Sequence, residues 1–149
     1  MNNMVKNIIN DICNKDIKDI YHSLVEIAEY LYFKRRKGNL SSLTWVIPFL
    51  EILNWEAISI RSGVWTYYEA SKIENMLKTK DYLKDNANKE LYIIYSDGIH
   101  DYNTASENEI EQWVNESEII DMWIKKDKNQ NLILNFLKNT ILAHKNEII

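Results

Sequence analysis

Three glycines and one proline are the only strong chain breakers in 149 residues. A β-sandwich or barrel draws its many turns from such residues, so their scarcity steers the chain toward long helices. It also excludes a Gly-rich phosphate-binding loop, and no serine lies in a nucleophile-elbow pattern. At 46% apolar and 27% charged, the chain has the composition of a folded domain, and its length suits one core rather than two. The expectation is an all-α single domain, residues 1–149, of about seven or eight helices. The one cysteine, Cys13, excludes an internal disulfide and a multi-cysteine zinc site. It reads as a semi-buried structural thiol.

Helical periodicity recurs along the chain. Val5, Ile8, Ile9 and Ile12 build a short first helix. Ile17, Ile20, Tyr21, Leu24, Ala28, Leu31 and Tyr32 mark an amphipathic second one, from near Asp16 to Lys37-Gly38. After a loop at residues 38–42, a mostly apolar helix is expected from Thr44 to Ser59, with Pro48 tolerated in its first turn, and it is the natural centre of the core. Ser71 with Glu74, and Ser106 with Glu109, have the spacing of capping boxes. Ile110, Trp113 and Val114 then face inward. Ser117 reads as the cap of a further helix carrying Ile119, Ile120, Trp123 and Ile124 inward, and a last helix follows Asn129-Gln130-Asn131. Trp45, Phe49, Leu53, Ile110, Trp113, Ile120 and Trp123 are the expected buried set.

One segment supports two readings. Leu91 to Tyr95 has strand composition, with Ser96-Asp97-Gly98 as a turn, which would make residues 90–102 a hairpin and the fold α+β. Leu91, Ile94, Tyr95, Gly98 and Ile99 also share one helix face, and helix is the favoured reading.

The net charge of −4 is unevenly spread. Acids and bases balance over residues 1–60 and again over 61–100, and bases predominate after 125. Residues 101–124 hold Asp101, Glu107, Glu109, Glu111, Glu116, Glu118 and Asp121 with no Lys or Arg. Such a field repels nucleic acid and attracts basic surfaces; the plainer reading is a solvated face. The basic run Lys34-Arg35-Arg36-Lys37 falls at a helix C-terminus before Gly38, where cations complement the helix dipole, so direct binding of nucleic acid is not expected. The N-terminal residues do not have the pattern of a signal peptide, and no apolar run is long enough for a membrane span. With a single cysteine, the expected compartment is the cytoplasm.

Asp97, His100 and Asp101 bring two carboxylates and an imidazole within five residues, the composition of an acid–base or metal site if all three share a helix face. A small metal-binding or hydrolytic enzyme built on them is the alternative function. Their spacing matches no established metal motif, and local hydrogen bonding is the commoner use. His22 and His144 have no evident acid partner in the sequence pattern. No cofactor is expected.

The segment from Arg61 to Ala70 is the most distinctive in the chain. Gly63 suits a junction where a side chain would block close approach, and Trp65, Tyr67 and Tyr68 wrap the next short helix. This stretch resembles the signature of a small helical bacterial family typified by a DNA-mimic protein, in which an acidic helix runs into an Asn-Gly-Gly-Phe-x-Gln-Tyr-Phe-type motif. Gly63 keeps the second Gly, and Tyr67 and Tyr68 keep the aromatic pair; Arg61, Ser62, Val64 and Thr66 depart from it. Glu51 and Glu56 lie on the preceding helix, as that family's acids do. The resemblance covers about twenty residues. It implies an all-helical fold, no catalytic residues, and engagement of a protein through an acidic surface that imitates DNA phosphates. Only residues 101–124 have the acid density for that.

The sequence therefore points to a non-enzymatic protein that binds and inhibits a basic protein. An immunity protein against a nuclease toxin, or an inhibitor of a nucleic-acid-binding protein, fits that description. Glu107, Glu109, Glu111, Glu116, Glu118 and Asp121 supply the field, and Trp65, Tyr67 and Tyr68 are the aromatic anchors.

Overall fold

A helix that is apolar on nearly every side can only be stable when other helices surround it, and residues 46–62 occupy that position. A computed structural model describes residues 2–38, 40 and 42–148. Asn39 and Ser41, in the loop expected at 38–42, lie outside the described residues. Among the described residues there are eight α-helices: α1 (Asn2–Asn14), α2 (Tyr21–Arg36), α3 (Val46–Ser62), α4 (Val64–Ala70), α5 (Ile73–Asn86), α6 (Lys89–Asp97), α7 (Glu107–Ile124) and α8 (Asp127–Ile148). Among the described residues there is no strand, so the fold is all-α and the hairpin at 90–102 does not form. No helix among them is long and apolar enough to cross a membrane.

α3 packs against α2, α4, α5, α7 and α8, and α1 closes the far side against α2 and α8. Pro48 is the third residue of α3, inside the first turn, where its missing N–H costs no helical bond. Trp45, Phe49, Leu53, Ile120 and Trp123 are buried as expected, whereas Ile110 and Trp113 are half-buried. In α2 the inward stripe is Leu24, Ile27, Ala28 and Leu31, and the rings of Tyr21 and Tyr32 reach the surface instead.

Several boundaries differ from the sequence reading, each for a local reason. Asp16 is extended and a 3-10 turn occupies Ile17–Asp19, so α2 begins only at Tyr21. Ser71 caps nothing ahead of it: its hydroxyl donates to the Tyr67 carbonyl and closes α4. Ser117 lies inside α7, buried, with its hydroxyl donating to the Val114 carbonyl, so the two expected helices are one. α8 starts at Asp127, and the Asn129 and Gln130 side chains reach back to the Trp123 and Ile124 carbonyls at the end of α7. The Ser106–Glu109 capping box forms in full.

Gly63 and Gly98 are required for opposite reasons. Gly63 joins α3 to α4 at φ 91°, ψ 151°, a backbone conformation open only to glycine, and it is not closely packed, since an added Cβ would meet nothing nearer than an Asp121 oxygen at 3.6 Å. At Gly98 the backbone is ordinary, but an added Cβ would lie 2.1 Å from Cζ of Tyr68. Tyr68 is buried and donates to the Tyr95 carbonyl at 2.8 Å. Its neighbour Tyr67 donates to Oε1 of Glu51 at 2.7 Å and therefore accepts the hydrogen of Tyr95, whose hydroxyl is also 2.7 Å away.

The two acids of α3 turn inward. Burial raises the Glu51 carboxyl above 4.5, opposed by the Tyr67 hydroxyl and the Arg35 guanidinium. Burial likewise raises that of Glu56, opposed by the Tyr21 hydroxyl. Glu56 is only 6% exposed, and its Oε2 has no hydrogen-bond partner among the described residues.

Two outcomes follow from this core. Gly98→Ala must push aside a hydrogen-bonded, fully buried ring, and a loss of about 1–3 kcal/mol in chemical denaturation is expected. Because Glu51 and Glu56 hold protons more tightly when folded, their contribution to stability is complete below 4.5 and is lost as pH rises through their folded values. Glu56→Gln should therefore stabilise the protein at neutral pH and flatten the pH dependence of its thermal melt above 4.5.

Candidate functional site

The Gly98–Tyr68 contact ends α6 at a defined point, and the following loop carries His100 and Tyr102 across to α7. Asn88 caps α6 by accepting from the Glu90 amide at 2.8 Å. Glu90 in turn accepts from the Trp123 indole at 2.7 Å, which ties the start of α6 to the end of α7. At the other end the Tyr102 hydroxyl donates to the Gly98 carbonyl at 2.8 Å, and Asp101 accepts from the Asn103 amide at 3.2 Å in an Asx turn. Between these ties the two helices leave a groove.

One wall of the groove is aromatic. His100 stacks on Trp113, ring centres 4.2 Å apart and planes within 1°. Tyr102 stands edge-on to Trp113 at 5.3 Å and to Trp65 at 4.9 Å. Ile94, Asp97 and Ile119 also line the groove, as does Glu116, which has a carboxylate oxygen 4.0 Å from Nε2 of His100. The groove, open to solvent on one side, offers a volume of about 300 Å³. Ile94 and Ile119 also line a second, mostly apolar hollow with Met122, Trp123 and Lys126. Burial pushes the His100 imidazole below 6.5, against the opposing pull of Glu116. Burial raises the Tyr102 hydroxyl to about 12, with Glu116 and Glu69 adding to the rise.

The six acids expected to form a field divide into two groups. Glu107, Glu111 and Glu118 are exposed and follow one outer stripe of α7, ending at Met122. The other three have structural work. Glu109 completes the capping box, Glu116 accepts from Gln112 at 3.0 Å, and Asp121 accepts from the Val64 amide at 2.8 Å, satisfying the first turn of α4. Among the described residues the only ion pair with a Lys or Arg is Lys15–Asp11, so no acid of α7 pairs with a Lys or Arg there.

The aromatic anchors also divide. Tyr67 and Tyr68 are core residues, 0% and 1% exposed, out of reach of any partner in this fold; Trp65 is half-buried against Tyr102. Ile119, expected inward, is 67% exposed, and Met122 is 69% exposed. Once α7 is continuous, the helical repeat sends both outward, and the uninterrupted periodicity of residues 107–124 was the signal for this.

Asp97, His100 and Asp101 do not share a helix face. α6 ends at Asp97, so Asp101 lies in the loop beyond it, and the cavity is lined by Asp97 and His100 without Asp101. Among the described residues no three His, Cys, Asp or Glu are placed to hold a metal ion. The other two histidines do have acid partners, one helical turn on: Glu26 for His22 and Glu147 for His144, which also stacks on Trp45. Comparison with protein-family models, curated proteins and solved structures finds no match to this chain.

The His100–Glu116 geometry can be read directly by NMR. His100 should titrate below 6.5, and Glu116→Gln should lower its pKa further, because it removes the carboxylate that favours the imidazolium. Since the folded state binds this proton less well than the unfolded chain, His100 also costs stability as pH falls below 6.5. A pKa left unchanged in Glu116→Gln would show that the two groups do not interact in solution.

Proposed function

We propose that this chain is a non-enzymatic interaction protein that binds and inhibits a basic protein partner through the exposed side of α7. A toxin neutralised by an immunity protein, or a nucleic-acid-binding protein blocked by a mimic of its ligand, is the partner class that suits such a surface. The observation carrying this reading is the outer stripe of α7, where Glu107, Glu111 and Glu118 are exposed, make no ion pair among the described residues, and lead into exposed Met122 and Ile119. Glu107 and Glu111 are one turn apart, so their repulsion costs the isolated helix a few tenths of a kcal/mol. A basic surface relieves that repulsion. Acids raise the rate of encounter, and adjacent apolar side chains hold the complex once water is expelled.

Co-purification from the native host with identification by mass spectrometry supplies the partner. The triple variant Glu107→Lys/Glu111→Lys/Glu118→Lys leaves the capping box, the α4 cap and the groove intact; only Glu107 lies in the first turn of α7, so its thermal melt should fall by no more than a few degrees. Its association rate with that partner should fall about tenfold or more at low ionic strength, and the difference should shrink as salt is added. Unchanged association at both salt concentrations would make the stripe a solubilising face and overturn the proposal.

A further inference from the structure

The groove beside the acidic stripe is more selective than a charged surface needs to be. Its cavity lies at the lower end of the ~300–1,000 Å³ range of small-ligand pockets, room for one side chain rather than a bulky cofactor. We infer that it receives an arginine side chain of the partner, seated between Asp97 and Glu116 against Trp113, Tyr102 and His100. This deepens the proposed function and rests on the partner being basic.

Four properties select that ligand. Both carboxylates at the cavity lack a Lys or Arg partner among the described residues, so a cation entering it meets uncompensated negative charge and an anion is repelled. The flat rings of Trp113, Tyr102 and His100 favour a planar, weakly hydrated guanidinium over a compact ammonium, which would have to shed tightly held water. The apolar side chains of Ile94 and Ile119 line the cavity and suit the methylene stem of an arginine. Burial of His100 disfavours its own charge, which leaves the cavity's cationic place to the ligand.

The test uses the full-length protein and three blocked tripeptides, acetyl-Gly-X-Gly-amide, with X as arginine, citrulline or leucine. Binding is followed by NMR at the Trp113 indole and the His100 ring. The arginine peptide should give saturable shifts there with an affinity on the order of millimolar, and citrulline, which keeps the shape without the charge, should bind about tenfold more weakly. Glu116→Gln should weaken the arginine peptide by a similar factor, whereas Glu107→Lys/Glu111→Lys, outside the cavity, should alter it far less. Absence of saturable shifts, or equal binding of citrulline, would overturn the inference. Leucine binding as tightly as arginine would make the cavity an apolar side-chain site and overturn it equally. If the arginine peptide fails while charge reversal on the stripe still slows the co-purified partner, the cavity inference falls alone. If the peptide binds and charge reversal changes nothing, the surface proposal falls and the cavity stands.

Discussion

Two adjacent tyrosines on a seven-residue helix hold together the side of the molecule on which the groove lies. A helix as short as α4 has little stability of its own, and its place comes from what it buries. Tyr67 bridges Glu51 of α3 and Tyr95 of α6 through one shared hydroxyl, and Tyr68 lays its ring against Gly98 while bonding the Tyr95 carbonyl. In a low-dielectric interior such hydroxyls are costly unless every hydrogen is used, and here each is. The arrangement therefore has one satisfied register, and the end of α6 is set by it. From that fixed end, two residues of loop are enough to bring His100 onto Trp113. The groove is in this sense a product of the core, and Tyr68 itself lines it.

The dependence explains which features were legible in the sequence. The scarcity of breakers and the three-to-four-residue spacing of apolar side chains define the all-α class, α3 as the central helix, and the helical reading of residues 89–97. These are local properties, and periodicity reports them directly. Serine is ambiguous by the same physics that makes it informative, because its hydroxyl can cap the helix ahead or bond a carbonyl three or four residues behind. Ser106 does the first, while Ser71 and Ser117 do the second. Misreading Ser117 as a cap splits α7 and changes the predicted facing of Ile119. The exchange of roles between Gly63 and Gly98 was illegible for another reason: the ring that excludes a side chain at Gly98 comes from Tyr68, thirty positions earlier. No spacing rule encodes such a contact.

The acids of residues 101–124 show that charge density alone does not describe a surface. Seven carboxylates in one stretch look uniform in sequence, yet the fold spends them differently. Asp101 closes a turn, Glu109 and Asp121 satisfy helix N-termini, and Glu116 lies between Gln112 and His100. Anions at helix N-termini are stabilising, so these acids are explained by the chain itself. Glu51 and Glu56, which matched the resemblance by position, also turn inward and add nothing to an outer field. What is left over, Glu107, Glu111 and Glu118, is a narrower surface than the composition suggested; Glu107 also complements the α7 N-terminus, whereas Glu111 and Glu118 make no side-chain hydrogen bond or ion pair among the described residues.

That narrowing matters for how such a surface would act. At physiological ionic strength charges are felt over roughly 8 Å, so three carboxylates along one helix steer a partner only in the last stage of approach. They cannot by themselves keep it bound, because each remains hydrated. Retention requires surface that loses water on contact, and the nearest such surface is Met122, Ile119 and the groove behind them. On the proposed reading the two features therefore act in sequence, the stripe during encounter and the groove afterwards. Changes to the stripe belong in the association rate and its salt dependence, and changes to the groove in the dissociation rate, because a group desolvated only in the final complex contributes only there.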